Sequence, residues 1–148
     1  MKSYLAHIRY DTNQSPIIQT VEEHCRKTAE YAAEALKPAS LSASGFLVGL
    51  IHDLGKYSSQ FQDYLIQSSK GQPVKRGSVN HTFASVRFLL TQYHHQNGES
   101  PNDIAAEILA LAAGSHHGWF DCIDDNQKNG FLHRMTKDDI EFDASTAV

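Results

Sequence analysis

The spacing of apolar and polar residues along the chain is helical almost throughout. Residues 20–36 place small and apolar side chains on one stripe at the helical period, which predicts an amphipathic helix. Thr20 and Glu23 have the spacing of a capping box, and Pro38 ends the pattern. His24 lies on the same stripe, so we expect its side chain to face inward among apolar neighbours.

The most apolar segment of the chain ends in an ionisable pair. Residues 43–54 are apolar almost all round, which is typical of a central, buried helix. With Gly55 as a C-cap, His52 and Asp53 would occupy the last turn of this helix. Burying an unpaired carboxylate is costly unless a cation neutralises it, so the pattern predicts a cation near Asp53.

The remaining segments are also predicted to be helical. Ser58 or Ser59 can cap an amphipathic helix that Gly71 closes, and residues 81–95 form another, with Asn80 as N-cap and His81 in the first turn. In a helix over residues 102–115, the predicted buried face consists of Ile104, Ala105, Ile108, Leu111 and Ala112. A short helix is predicted near Phe131–Lys137, and no alternating strand pattern occurs. The predicted class is all-α, a compact multi-helix bundle.

Composition and charge narrow the class of protein. A length of 148 residues with 41% apolar and 20% charged residues suits one folded domain, residues 1–148. No apolar run is long enough to span a bilayer, and the N-terminus lacks the apolar region of a signal peptide, so we expect a cytoplasmic protein with no membrane contact. The net charge of −4 excludes a basic coat for nucleic acid, so any phosphate contact would be local.

Histidines are unusually frequent, with nine in the chain. Those at the ends or on the inner faces of predicted helices form, with one carboxylate, the set His24, His52, Asp53, His81, His116 and His117. Imidazole and carboxylate together suit zinc, iron, manganese, nickel or cobalt. Alone, His24 is more typical of a hydrogen-bonded core histidine, and His94 and His95 have the context of surface residues. Taken singly, His7 and His133 have no context that indicates a role.

The order of these residues is more specific than any one of them. The informative segments are LAH at 5–7, EEHCRKTAEYA at 22–32, GLIHDLGKYSSQFQDYL at 49–65, NHTFAS at 80–85 and SHHGWFDCID at 115–124. Together they resemble the HD superfamily of metal-dependent phosphohydrolases. More closely, they resemble the CRISPR-associated HD nuclease domain, the nuclease half of the helicase–nuclease of type I interference. The resemblance covers nearly the whole chain and implies a single HD nuclease domain with no helicase domain present.

The resemblance also implies a set of site residues. Asp53 would bridge two metals, one held with His24 and His52, the other with His81, His116 and His117. The cofactors would be one or two divalent ions of manganese, iron, nickel, cobalt or zinc. Lys56 matches the lysine of the family's HDxGK motif and is expected near the scissile phosphate. An ammonium one turn beyond His52 could stabilise the charge of an added phosphate.

One element of the family pattern has no match by motif. The family usually supplies a further aspartate ligand downstream, and the available residues are Asp121, Asp124, Asp125, Asp138, Asp139 and Asp143. The expectation is either an N-terminal piece of a longer protein, truncated at its C-terminus, or a short form with an incomplete second site.

The implied function is hydrolysis of single-stranded DNA in CRISPR interference, an antiviral defence. The implied partners are a helicase domain and an RNA-guided surveillance complex. Lys75 and Arg76 lie in a loop where they could contact the DNA backbone or simply be solvated, while Trp119 and Phe120 could stack on a base or pack in the core. The alternatives are an HD phosphohydrolase acting on nucleotides and a truncated, inactive metal-binding docking module.

Overall fold

The computed structural model describes residues 3–75, 77–95, 100–118 and 130–135. The elements, in chain order, are strands β1 (Leu5–Tyr10) and β2 (Pro16–Thr20), helix α1 (Val21–Leu36), a 3-10 turn (Lys37–Ala39), α2 (Ser42–Ile51), a second 3-10 turn (Leu54–Tyr57), α3 (Ser59–Ser69), α4 (Phe83–Tyr93), α5 (Pro101–Gly114) and α6 (Gly130–Met135). Helices make up most of the described residues, which confirms the predicted all-α class. No helix within these ranges is long and apolar enough to cross a membrane.

An N-terminal β-hairpin is the main element that sequence analysis did not predict. Strands β1 and β2 pair antiparallel, with an irregular register between Leu5 and His7. At the turn, the carboxylate of Asp11 accepts a hydrogen bond from the backbone N–H of Ser15 at 2.7 Å. Only Ala6 is buried among the strand residues, so no alternation of apolar and polar positions marks the hairpin in the sequence.

The predicted starts of α1 and α3 are confirmed by their caps. The hydroxyl of Thr20 accepts a hydrogen bond from the backbone N–H of Glu23 at 3.1 Å. The hydroxyl of Ser58 accepts one from Phe61 at 3.2 Å. Each bond satisfies a backbone donor that the first turn of a helix leaves unpaired.

Helix α2 packs on α1 through glycine, and the prediction that α2 is buried on all sides is wrong. A Cβ atom at Gly49 would lie 2.5 Å from the Cα atom of Ala29, so the two backbones approach more closely than any other residue would allow. Phe46 and Leu50, on the other side of α2, are 42% and 41% exposed. The apolar composition of α2 therefore does not indicate a central position.

The main core lies between α4 and α5. Phe83, Val86 and Leu89 are fully buried and pack against Ala110 and Ala113 of α5. Alanines on the contacting stripe of α5 let the two helices approach closely.

The predicted buried face of α5 is consequently wrong. Ile104, Ile108 and Leu111 are 46%, 61% and 39% exposed. The neighbouring Ala105 and Ala112 are exposed as well. The periodicity of the bulky residues selected the wrong side of the helix, because the close contact with α4 requires the small side chains.

Candidate metal centre

Four short segments bring the candidate site together. His24 comes from the first half of α1, His81 from the residues before α4, and His116 and His117 from the turn after α5. Helix α2 ends at Ile51, earlier than predicted. His52 is its C-cap, and Asp53 is the N-cap of the following 3-10 turn. Three of these segments are helix ends or turns, where successive side chains can point to a common centre.

Gly55 does not have the role that the sequence suggested. It lies inside the 3-10 turn, and a Cβ atom there would collide with the backbone carbonyl of His81. Because Gly55 has no side chain, the backbone of His81 can lie directly against this turn. His81 itself lies two residues before the start of α4 at Phe83, not in its first turn as predicted.

Asp53 lies at the centre of the site and is 2% exposed. Its Oδ2 atom lies 3.0 Å from His24 Nε2, 3.2 Å from His52 Nε2 and 2.8 Å from Lys56 Nζ. Its Oδ1 atom lies 3.4 Å from His116 Nε2 and 3.7 Å from His81 Nε2. The two carboxylate oxygens therefore face two different groups of imidazoles.

Each of these groups has the composition of a metal site. The first consists of His24, His52 and Asp53, and the second of Asp53, His81, His116 and His117. Within each group the donor atoms lie within 4.8 Å of one another. The five histidines that the resemblance implied are thus gathered around the carboxylate of Asp53. Imidazole nitrogen and carboxylate oxygen form the ligand set of borderline divalent metals.

Two of the donor atoms are buried without a hydrogen-bond partner among the described residues: Asp53 Oδ1 and His116 Nε2. Leaving such an atom unsatisfied costs about 1–3 kcal/mol. A divalent cation between them would satisfy both atoms. The same cation could accept the lone pairs of His81 Nε2 and His117 Nε2, which lie 3.0 Å apart. The residues present therefore fit a bound metal.

Backbone carbonyls determine which ring nitrogen faces the centre. His52 Nδ1 lies 2.8 Å from the carbonyl oxygen of Gly49, and His116 Nδ1 lies 2.6 Å from that of Ala113. A carbonyl can only accept, so Nδ1 carries a proton in both rings. In the neutral imidazole this leaves the lone pair on Nε2, which faces Asp53. Such outer hydrogen bonds orient metal-binding histidines in general.

The hydroxyl of Ser85 strengthens the same end of α2, and sequence analysis did not identify it. Ser85 is fully buried, and its Oγ lies 2.8 Å from the carbonyl oxygen of His52. It also contacts the carbonyl oxygen of Ile51. A helix end leaves its last carbonyls unpaired, so Ser85 satisfies acceptors at the residue that precedes Asp53.

The protonation states also suit metal binding. Burial alone would raise the pKa of Asp53, but the imidazoles of His116, His24 and His52 and the charge of Lys56 outweigh it and hold the pKa well below its usual range. Burial lowers the pKa of His81 to about 4, against the attraction of Asp53. At neutral pH the carboxylate is therefore ionised and the His81 ring is neutral, which are the forms that bind metal.

Lys56 is 4% exposed and lies deeper than a surface lysine. Besides its ion pair with Asp53, its Nζ atom lies 5.5 Å from the centre of the Phe61 ring and 3.4 Å from His7 Nε2. The structure places Lys56 in contact with the proposed bridging ligand, and its position near a scissile phosphate stays a prediction.

His7 was missed by sequence analysis, although it lies beside the site. Its ring is 4.8 Å from that of His24 in an edge-to-face arrangement. Burial, and after it the positive charge of Lys56, lowers the pKa of His7. The available signal was the LAH segment at 5–7, but without the hairpin nothing in the sequence placed it near His24.

Other predicted residues lie away from the centre or outside the described residues. Lys75 is exposed in the loop between α3 and α4. His94 is a surface residue as predicted, with Nε2 2.9 Å from Glu107 Oε1. The predictions that lie outside the described residues concern Arg76, Trp119, Phe120, Asp121, Asp124, Asp125, Asp138, Asp139 and Asp143.

Comparison with known proteins agrees with this geometry. A family model described as Cas3, HD domain, matches residues 11–147, while no curated protein matches the chain. Since the match spans most of the sequence, the chain belongs to the Cas3 HD-domain family, and the resemblance is confirmed. Membership in this family implies that the chain is a metal-dependent HD-family nuclease of a CRISPR system.

Proposed function

We propose that this member of the Cas3 HD-domain family hydrolyses phosphodiester bonds of single-stranded DNA during CRISPR interference. One observation carries the proposal: the buried carboxylate of Asp53 has one oxygen facing each of two imidazole groups. Shared carboxylates of this kind hold pairs of metals that act on phosphate esters.

The residues proposed to hold the metals are those of the two groups. His24, His52 and Asp53 would hold one ion, and Asp53 with His81, His116 and His117 would hold the other. The ions would be one or two of manganese, iron, nickel, cobalt or zinc. When bound, such ions polarise phosphoryl oxygens and lower the pKa of coordinated water.

The chain's own charges favour an anionic substrate. Neutral imidazoles contribute no negative charge, so Asp53 is the only anionic member of the two groups. Lys56 adds a positive charge at 2.8 Å from Asp53 Oδ2. With metal present, the centre would carry excess positive charge, which attracts a phosphate and stabilises the negative charge that develops on its oxygens.

The preference for single strands follows from the resemblance and is compatible with a recessed site. The imidazoles of His24, His81 and His116 retain 23%, 19% and 18% of their side-chain exposure, while Asp53 is almost fully buried. A flexible single strand can bend into such a recess more easily than a stiff duplex. We further propose that Lys75 and Arg76 contact the backbone of the strand.

Residues 1–148 would act as one nuclease domain in this proposal. A helicase domain would supply the single strand, and an RNA-guided surveillance complex would select the DNA.

The test is a comparison of substrates with defined metals. The purified chain is stripped with chelator and reloaded with each of the five metals. It is then assayed on single-stranded DNA, duplex DNA and a panel of nucleotides, with Asp53→Asn as control. We expect metal-dependent cleavage of single-stranded DNA that the variant lacks. Hydrolysis of nucleotides alone would instead indicate an HD phosphohydrolase, and less than one metal per chain with no hydrolysis would indicate a docking module.

A further inference from the structure

We propose that His7 is a positioning residue for Lys56. Its Nε2 atom accepts a hydrogen bond from the Lys56 ammonium and holds that ammonium beside Asp53. The catalytic consequence rests on the proposed nuclease function. The family match begins at residue 11, so it assigns no role to His7.

The first support is the arrangement of acceptors around the ammonium. Lys56 Nζ lies 2.8 Å from Asp53 Oδ2 and 3.4 Å from His7 Nε2. A lysine side chain is a flexible stem that carries three donors. One acceptor restricts only the distance of the ammonium, whereas two acceptors on different elements also restrict its direction. Removing His7 would take away one of these two restraints and widen the range of directions that the ammonium can adopt.

The second support is a side chain that ties β1 to the turn of Lys56. Gln62 Oε1 accepts from the backbone N–H of Leu5 at 2.9 Å, and Gln62 Nε2 donates to the carbonyl of Leu5 at 2.9 Å. The same Nε2 donates to the carbonyl of Lys56 at 2.7 Å. The strand that carries His7 and the turn that carries Lys56 are therefore held at a common point in α3.

The third support is the irregularity in β1. The register shifts between Leu5 and His7, and Ala6 is buried at 1% exposure against α1. Bulges of this kind redirect a side chain and are frequent next to functional sites. His7 directly follows the irregularity, and its ring contacts that of His24 edge to face at 4.8 Å. The ring, although His7 is exposed, therefore contacts Lys56 through Nε2 and His24 through its edge-to-face packing.

The experiment compares three single variants, His7→Ala, His7→Gln and Lys56→Ala, with the double variant of His7→Ala and Lys56→Ala. His94→Ala, which removes an imidazole away from the site, is the matched control. Glutamine can place its Oε1 near the position of Nε2 and accept the same bond. We expect His7→Ala to lower kcat on single-stranded DNA about tenfold, which is the usual effect of one charged hydrogen bond. KM and metal content should stay within about twofold, and His7→Gln should recover most of the rate.

The double variant distinguishes positioning from a general structural effect. In the Lys56→Ala background, His7→Ala should cause no further loss, because the residue it positions is absent. A full additional loss, a loss of metal in His7→Ala, or a failure of His7→Gln to recover the rate would each overturn the proposal.

A spectroscopic measurement separates this proposal from the proposed function. In the zinc-loaded chain, long-range 1H–15N NMR should show His7 protonated at Nδ1 with Nε2 as an acceptor. Lys56→Met should remove this preference. This result would support the contact even if the chain cleaved no DNA, whereas protonation at Nε2 in the unmodified chain would overturn it.

Discussion

Asp53 Oδ1 lies 3.4 Å from His116 Nε2, and both atoms are buried without a hydrogen-bond partner among the described residues. The Nδ1 proton of His116 is directed to the carbonyl of Ala113, so in the neutral ring Nε2 carries the lone pair. In that form two acceptors face each other in a buried site, an arrangement that a cation between them would stabilise.

Replacing Asp53 with asparagine should release metal from both groups and abolish cleavage, because each group loses its charged oxygen. Metal content is measured by plasma mass spectrometry after dialysis, alongside cleavage of labelled single-stranded DNA. The bridging role would be refuted by a variant that retained full metal content and cut DNA at the normal rate.

Replacing His116 with glutamine should affect only one group. We expect metal content to fall by about one ion per chain, while the group of His24 and His52 keeps its ion. His94→Gln, a surface substitution of the same chemistry, serves as control and should leave the metal content unchanged. Loss of all metal in His116→Gln would mean that the two groups do not bind independently.

Replacing Lys56 with alanine should slow turnover by about 100-fold while metal content stays nearly unchanged, because Lys56 contributes charge rather than a ligand. The control is Lys27→Ala, which removes an exposed ammonium paired with Glu23. Loss of metal in Lys56→Ala would contradict this role and indicate that the ammonium is needed to assemble the site.

Replacing Gly55 with alanine should displace His81, since the new Cβ atom would collide with its carbonyl. We expect a destabilisation of about 1–3 kcal/mol in urea unfolding and weaker metal binding. Gly71→Ala is the control: its Cβ would meet open space at a φ of 70°. The control should cost about 1 kcal/mol and leave metal binding intact. Equal metal binding by both variants would refute the proposed contact.

Acid should destabilise the metal-free protein. The pKa of His81 is lowered to about 4 in the folded chain, and that of Asp53 is also lowered. The unfolded chain therefore binds more protons as pH falls below about 6.5, which is the ordinary pKa of histidine, and stability is lost in that direction. Urea unfolding in EDTA between pH 7.5 and 4.5 should show a falling free energy of unfolding, with a shallower decline in His81→Asn. Constant stability across this range would contradict the assignment.

The candidate ligand set could be proposed from the sequence because imidazole and carboxylate side chains identify themselves by residue type. His24, His52, Asp53, His81, His116 and His117 are either ionisable residues on apolar faces or residues at helix ends, and their order resembles one family. Their convergence is a property of the fold and became visible only in the structure.

The features that were missed depend on contacts between distant segments. The face of α5 was assigned wrongly because Ala110 and Ala113 pack closely on α4, which no local pattern indicates. Gly55 was assigned to a C-cap, whereas its function is to leave room for the backbone of His81. His7 belongs to a hairpin that buries little apolar surface and therefore leaves almost no sequence signal.

The central claim is that Asp53 is shared between two metal sites. Anomalous X-ray diffraction on crystals of the metal-loaded chain, collected at the absorption edge of the bound metal, tests it directly. We expect two metal ions, each seen as an anomalous peak. One should lie within bonding distance of Asp53 Oδ2, His24 and His52. The other should lie within bonding distance of Asp53 Oδ1, His81, His116 and His117. A peak bonded to histidines but not to Asp53, or no peak at this carboxylate in protein that binds metal, would contradict it.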